Sequence, residues 1–191
     1  MNKLELSYTT ETLSVLLKQP LNTIFRVGSS ICLDFGELVE KRSAYLTTGK
    51  KVAYRNEQHG KYALHIECNS RLKCGEEIVL AKRDVFLPNT KINNNPAFSW
   101  ETFAWDIYGN NYFDEQVNRY LGDGPYLFIV KSISISRLGD MEIEFENGFV
   151  FEIFNNVSGN NESWRFFVVD DLSEHLVICG NGIEKQEGGE E

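Results

Sequence analysis

Residues 161–184, NESWRFFVVDDLSEHLVICGNGIE, concentrate side chains whose types could do chemistry. The thiol of Cys179 and the imidazole of His175 are the nucleophile and general base that a covalent enzyme uses. If EHLVICG is a strand, however, residues four apart lie ~13 Å from each other, whereas a cysteine–histidine hydrogen bond needs roughly 3–4 Å. The spacing therefore favours a buried, structural Cys179, since free cysteine is among the most buried residue types.

A second group of reactive side chains comprises His65, Cys68 and Cys74. Together with the first group it leaves an enzyme open, in which Cys179 or Cys68 is the nucleophile and His65 or His175 is the base. The spacing H-x2-C-x5-C lacks the C-x2-C pairs that are typical of structural zinc sites. We therefore expect no metal and no cofactor.

Three carboxylates, Glu142, Glu144 and Glu152, fall on one face of a predicted sheet. An acidic row of this kind is a candidate docking surface for a basic protein. The alternative is an ordinary solvated face, because antiparallel sheets often expose one polar side. We take these three residues as predicted partner-binding residues.

The segment 88–125 contains an aromatic cluster that includes Trp100 and Trp105. Tryptophan and tyrosine are enriched at protein interfaces and ligand pockets, so both tryptophans are predicted to contact a partner. A cluster of this type also commonly fills the core between elements. An enclosed cavity beside the segment would instead indicate a carrier of a small ligand.

Alternating hydrophobicity predicts an α+β, mainly β fold built from two antiparallel meanders and two short helices. The helices are predicted at 9–18, capped by Thr9 or Thr10, and at 113–121, ended by Gly122 and Pro125. Residues 36–61 are predicted to form a long hairpin or loop. Asp170-Asp171 are predicted to open a turn.

The clearest meander spans residues 126–154. Three-residue loops at 138–140 and 146–148 would pair Ile135 with Ile143 and Ile143 with Phe151, and Gly148 would take the left-handed conformation. One face would then be apolar and buried. Its members are Ile133, Ile135, Ile143, Phe145, Phe149, Phe151 and Ile153.

We predict a single domain over residues 1–185 and a disordered acidic tail over 186–191. Within the domain, halves 22–87 and 126–184 flank the aromatic and helical connector 88–125. The halves contain similar segments and could be an internal duplication. The matched segments are 31–35 with 141–145, 62–66 with 149–153, and 75–84 with 163–171.

Charge and hydropathy restrict the partners of this 191-residue chain. The formal net charge of −9 disfavours nucleic acid, because an acidic protein repels phosphate backbones. No apolar run reaches the ~18 residues of a membrane span, and the first residues lack the features of an export signal. We therefore expect a cytoplasmic protein with reduced thiols at Cys32, Cys68, Cys74 and Cys179.

Two motifs resemble those of a family of small bacterial proteins that has no assigned activity. The family shows Leu-His-x-x-Cys-x-x-Arg and later Trp-Arg…His-Leu-Val-x-x-Gly-x-Gly-x-Glu. The matching positions are Leu64, His65, Cys68, Arg71, Trp164, Arg165, His175, Leu176, Val177, Gly180, Gly182 and Glu184. The similarity covers roughly residues 24–184 and departs at Asn69-Ser70, where the family has Pro-Trp. It implies a bacterial cytoplasmic protein and supplies no catalytic residues.

The sequence thus favours a non-enzymatic bacterial binding protein of undetermined oligomeric state. An immunity-type protein that neutralises a basic partner fits the acidic charge and the β-rich architecture. A Cys/His-dependent enzyme and a small-ligand carrier are the alternatives.

Overall fold

The computed structural model describes residues 1–46, 52–122, 127–169 and 174–186, of which 42–46 and 186 are described by their backbone alone. Asp170-Asp171, Pro125 and residues 187–191 lie outside the described residues. Gln186, the first residue of the predicted tail, belongs by its backbone to a strand.

Strand residues dominate the described chain, which confirms the predicted α+β, mainly β fold. The strands are β1 (Leu21–Val27), β2 (Ser30–Leu46), β3 (Val52–Ile66), β4 (Asn69–Cys74), β5 (Glu77–Ala81), β6 (Val130–Ile135), β7 (Met141–Phe145), β8 (Phe149–Phe154), β9 (Glu162–Val168), β10 (His175–Cys179) and β11 (Gly182–Gln186). One antiparallel sheet has six of these strands in the order β1-β2-β3-β9-β10-β11, and the other has five in the order β5-β4-β8-β7-β6.

The first helix, α1 (Lys3–Leu13), begins earlier than predicted. The Asn2 side chain accepts hydrogen bonds from the N–H groups of Leu4 and Glu5, and the Glu5 carboxylate accepts one from the Asn2 N–H. This reciprocal cap starts the helix. The prediction that Thr9 or Thr10 caps it is wrong, because their hydroxyls donate to carbonyls four residues back inside the helix.

Two further α-helices follow, α2 (Thr90–Asn93) and α3 (Tyr112–Leu121). The predicted helix at 113–121 is confirmed as α3, whereas α2 was not predicted. Gly122 ends α3 as predicted, with a φ of −73°. Short 3-10 helices lie at Ser14–Leu16, Lys82–Phe86 and Trp100–Thr102.

The register of the second meander is partly as predicted. Ile143 pairs with Phe151 in β7–β8, and Gly148 has the expected positive φ of 84°. The β6–β7 prediction is wrong by two residues, because Ile135 pairs with Met141. The reason is local: the Ser136 hydroxyl accepts from the N–H groups of Leu138 and Asp140, and this closes a different loop. A shift of two residues preserves the faces.

The predicted apolar face is buried. Ile143, Phe145 and Ile153 are fully inaccessible to solvent, and Ile133 and Ile135 are partly buried against the same core. The two sheets and the helices contribute to one hydrophobic cluster.

The two halves of the chain exchange strands. The meander β1-β2-β3 is extended by β9 and β10 from the second half, whereas β6-β7-β8 is extended by β4 and β5 from the first half. β4 and β9 therefore occupy corresponding places, whereas the predicted match sets 75–84, which contains β5, against 163–171, which contains β9.

The two meanders have the same internal register. Ile31 pairs with Ile66 in the first, as Met141 pairs with Ile153 in the second. The first strand of each meander contains an irregularity at the same place, between Leu21 and Thr23 and between Val130 and Ser132. The meanders also meet reciprocally: Leu21 N–H donates to the Phe128 carbonyl, and Val130 N–H donates to the Gln19 carbonyl. These paired features describe a pseudo-twofold relation, and the internal duplication stays a prediction.

Candidate functional site

Residues 88–111 form a loop whose ends are tied together, here called the aromatic loop. Pro88 and Asn111 form a β-bridge at its neck. Beside this bridge, the Asn89 N–H donates to the Asn110 carbonyl and the Tyr112 N–H donates to the Leu87 carbonyl, both at 2.8 Å. A loop closed in this way is a compact surface element rather than a slack connection.

A buried ion pair fixes the neck of the aromatic loop to the sheet. Arg26 on β1 donates two hydrogen bonds of 2.9 Å to the Asp114 carboxylate on α3. The same carboxylate accepts the Gly109 N–H at 2.8 Å, and Arg26 also reaches the Asp106 carbonyl. The second half of the loop, which leads back to its neck, is therefore held by a charge-assisted network.

Polar side chains hold the loop at both of its ends. The Asn111 amide donates to the Trp105 carbonyl at 2.9 Å, while its oxygen caps α3 by accepting from the Asp114 N–H. At the start of the loop, the Thr90 hydroxyl and N–H both donate to the Glu115 carboxylate. The base of the loop is thus held on both sides.

Three aromatic rings meet at the tip of the aromatic loop. Phe98, Trp100 and Phe103 have ring centroids 5.1–6.0 Å apart and pack edge to face. Trp100 nevertheless remains 62% exposed. The cluster orients a large apolar side chain toward solvent instead of burying it.

The other predicted aromatic residue, Trp105, has a different environment. Its ring packs edge to face on Phe86 at 4.9 Å and lies partly buried against the hydrophobic core. The two tryptophans that the sequence grouped together therefore differ: Trp105 packs against the core, whereas Trp100 is exposed.

The three predicted carboxylates do lie on one face of the five-stranded sheet. Glu142 and Glu152 are directly opposite each other across β7–β8, and Glu144 follows two residues along β7. Glu142 is exposed, and its neighbour on β6 is Ser134.

Cations compensate two of these three carboxylates. Burial of Glu152 disfavours its charge, but Arg71 and Lys73 donate to it, and the balance lowers its pKa. Lys131 and Ser132 likewise donate to Glu144 and lower its pKa. The acidic row is consequently less negative than the sequence suggests.

The cysteines proposed as nucleophiles occupy unfavourable positions. Cys68 is 2% exposed in the core, and burial raises its pKa. Burial also raises the pKa of Cys179, with the Glu184 and Glu162 carboxylates adding to the effect. The Cys179 sulfur lies 3.9 Å from a Glu184 carboxylate oxygen. A reactive thiolate needs the opposite, an electropositive setting.

The outer face of the six-stranded sheet holds the predicted histidines. His65 packs edge to face on Phe167 at 4.8 Å, and His175 stacks on the same ring at 4.6 Å. Arg165 lies beside them, 3.4 Å from a His175 ring nitrogen, and donates to Glu162. Phe167 thus contacts both imidazoles.

The same face contains a pair that the sequence analysis missed. His59 Nδ1 lies 3.0 Å from Asp34, whose carboxylate also accepts the Gly60 N–H. Asp34 is 2% exposed, and burial raises its pKa while His59 opposes the increase. The available signal was an acid, Asp34, between Leu33 and Phe35 in the apolar alternation Ile31-x-Leu33-x-Phe35.

Thiol reactivity tests these assignments directly. Cys74 is exposed, whereas Cys32, Cys68 and Cys179 are buried. We expect one fast thiol per folded chain and four after denaturation without reductant, because buried unactivated thiols react slowly. The Cys74→Ala variant should lose the fast phase. Rapid alkylation of Cys179 that disappears on replacing His65 or His175 would instead establish the Cys/His enzyme.

In the described ranges, no helix is long and apolar enough to cross a membrane. Nor do those ranges contain three or more histidine, cysteine or acidic side chains placed to hold a metal ion. Comparisons of the chain with family models, curated proteins and solved structures give no match.

Proposed function

We propose that this is a non-enzymatic binding protein that docks a protein partner through the tip of the aromatic loop. One observation carries the proposal: Trp100 is 62% exposed although it belongs to a packed aromatic cluster. Burial of an exposed tryptophan in a partner's pocket is a frequent source of binding energy.

The rigidity of the loop supports this proposal. In the unbound chain, Glu115 holds the start of the loop at Thr90. Asp114 and Asn111 hold its end, at Gly109 and Trp105. A side chain that is already ordered loses less conformational entropy on binding.

Electrostatics favour a basic partner, as expected for an immunity-type protein. The net charge of −9 steers cationic proteins toward the chain. Because Glu144 and Glu152 are engaged by cations of this chain, the acidic row contributes to association rate more than to affinity. Glu142, Glu144 and Glu152 are therefore proposed to act at long range, as part of the negative field that attracts the partner.

The alternatives have less support. Cavities at the α3–β1 and α1–β6 junctions have volumes of about 130 and 70 Å³, below the ~300 Å³ at which ligand pockets begin. The raised pKa values of Cys68 and Cys179 work against a thiol enzyme.

The proposal is tested by immobilising this chain and measuring how much of a partner protein it captures from a lysate of the source cells. Trp100→Ala should reduce recovery of the captured protein more than tenfold, because a hot-spot loss of about 2 kcal/mol lowers affinity roughly 30-fold. Leu138→Ala removes a side chain that is 76% exposed on the β6–β7 loop and is the matched control. It should leave recovery unchanged.

The acidic row is tested in the same experiment. Glu142→Gln, Glu144→Gln and Glu152→Gln together should reduce recovery mainly at low salt, because salt screens charges that act at long range. Equal recovery with wild type and Trp100→Ala would contradict a binding site at the loop tip.

A further inference from the structure

The groove between β1 and α3 has a volume of about 130 Å³ and is larger than the groove of about 70 Å³ between α1 and β6. Its apolar lining includes Ile24 on β1 and Val117 and Leu121 on α3. An apolar cavity of ~150 Å³ holds one benzene molecule. The groove between β1 and α3 is therefore too small for a free ligand of ordinary size, but it has room for one side chain of a partner.

Oxygen-bearing side chains accompany this apolar lining. Asp114 lines the groove near the start of α3 and is already engaged by Arg26. Asn118 and Tyr108 also line it, and both are exposed. The Tyr108 hydroxyl lies 3.4 Å from Asn118 Oδ1, so Tyr108 reaches from the aromatic loop across to α3. None of the described residues that line the groove is cationic, so a hydrogen-bond donor complements it best.

The position of the groove along α3 favours a positive charge. Asp114 lies in the first turn of this 10-residue helix, whereas Asn118, Leu121 and Gly122 lie at its C-terminal end. Carbonyl dipoles give the C terminus of a helix a partial negative charge, which favours cations. At 1.5 Å per residue, Asn118 is about 6 Å along the helix from Asp114. A cation at Asn118 is therefore set apart from the Arg26 guanidinium.

The exposed arginine of the same turn does not occupy the groove. Arg119 is not among the lining residues, and its guanidinium lies over the Tyr120 ring, 5.5 Å from the ring centroid. The C-terminal end of the groove is thus left to a cation from another molecule.

We infer that this groove receives a lysine side chain of the partner, an inference that rests on the proposed function and names the chemistry that the partner brings. The lysine stem lies along Val117 and Leu121, and its ammonium reaches Asn118 and Tyr108 at the exposed end. Lysine joins an apolar stem to a charged head in this way, and tyrosine rings attract cations. The net charge of −9 favours a partner that presents lysine. Because Tyr108 belongs to the aromatic loop, the groove and Trp100 are parts of one element.

The groove between α1 and β6 provides an internal comparison. α1 packs on β6 as α3 packs on β1. The helical residues that line the two grooves have the same spacing, i, i+4 and i+7: Thr10, Ser14 and Leu17 in one, Asp114, Asn118 and Leu121 in the other. Among the described residues, no aromatic side chain lines the α1–β6 groove. It therefore lacks the features assigned to lysine binding.

n-Butylammonium chloride has the four-carbon stem and the charge of a lysine side chain, so it tests the groove in the purified chain. In an NMR titration it should shift the methyl resonances of Val117 and Leu121 and leave those of Leu17, in the α1–β6 groove, unchanged. 1-Butanol, which is similar in size but uncharged, should bind at least about threefold more weakly. Equal binding of the two probes, or equal shifts in both grooves, would overturn the inference.

Two variants connect the groove to the partner. Tyr108→Ala alters a side chain that is 71% exposed and should weaken n-butylammonium binding at least about threefold. Asn118→Lys places an ammonium of this chain at the groove and should reduce recovery of the captured partner about tenfold. The matched control, Asn156→Lys, makes the same change at an exposed asparagine between β8 and β9 and should leave recovery unchanged. Equal loss with both lysine variants would show a general effect of charge and overturn the inference.

The lysine groove and the loop-tip site fail separately. If Trp100→Ala lowers recovery and Asn118→Lys does not, docking at the loop tip stands and the lysine groove is overturned. If Asn118→Lys lowers recovery and Trp100→Ala does not, the groove stands and the loop tip is contradicted. Binding of n-butylammonium together with recovery that is insensitive to Asn118→Lys would assign the groove to a free alkylamine and overturn the inference.

Discussion

Replacing Asp114 by alanine is expected to lower the free energy of unfolding by about 3–5 kcal/mol, because it leaves a buried guanidinium without its partner. The Arg26 and Asp114 side chains are only 5% and 3% exposed. The substitution also removes the acceptor of the Gly109 N–H. Urea denaturation of the two proteins measures the difference.

A double-mutant cycle separates the ion pair from its surroundings. Arg26→Ala with Asp114→Ala should cost less than the sum of the single changes, because no unpaired charge then remains buried. The Lys18–Glu146 pair is the matched surface control, with side chains 71% and 48% exposed. Glu146→Ala should cost less than about 1 kcal/mol. Similar losses at the two sites would contradict the assigned role of Asp114.

Replacing Trp164 by alanine is expected to lower the free energy of unfolding by about 3–5 kcal/mol, the usual range for removing a fully buried large aromatic residue. Trp164 on β9 has no exposed surface. Its indole N–H donates to the Gly139 carbonyl at 2.8 Å, so the side chain links the six-stranded sheet to the β6–β7 loop. Chemical denaturation followed by circular dichroism checks the value.

Trp164→Phe distinguishes packing from hydrogen bonding. Phenylalanine keeps most of the apolar contact but leaves the Gly139 carbonyl without its donor, which costs about 1–3 kcal/mol. The phenylalanine variant should therefore be more stable than the alanine variant. A loss below about 1 kcal/mol for Trp164→Ala would mean that β9 is not part of the core.

Local patterns predicted much of the β architecture. The sequence EFENGFVF combines alternating residues with an Asn-Gly turn, so β7, β8 and the positive φ of Gly148 follow from neighbouring residues. The β6–β7 register depends instead on where the Ser136 side chain binds. Alternation is insensitive to a shift of two residues, so the sequence pattern could not distinguish the two registers.

Strand exchange was not predictable in the same way. The pairing of β3 with β9 joins residues about a hundred positions apart, and periodicity carries no information about such partners. The same limit applied to the candidate site. Composition identified Trp100, but its exposure and its packing on Phe98 and Phe103 became known only from the folded loop. His59 was missed because its partner, Asp34, is distant in sequence.

Strand exchange has a consequence for synthesis on the ribosome. β3 ends at Ile66, and its partner β9 begins at Glu162. At roughly 5–20 residues per second, β9 follows β3 by about 5–20 s. During that interval the edge of β3 has no partner and its apolar side chains, including Leu64, remain open to other nascent chains. The protein must therefore fold late, after most of it has been made, and rapid translation or chaperone binding to the first half should increase its yield.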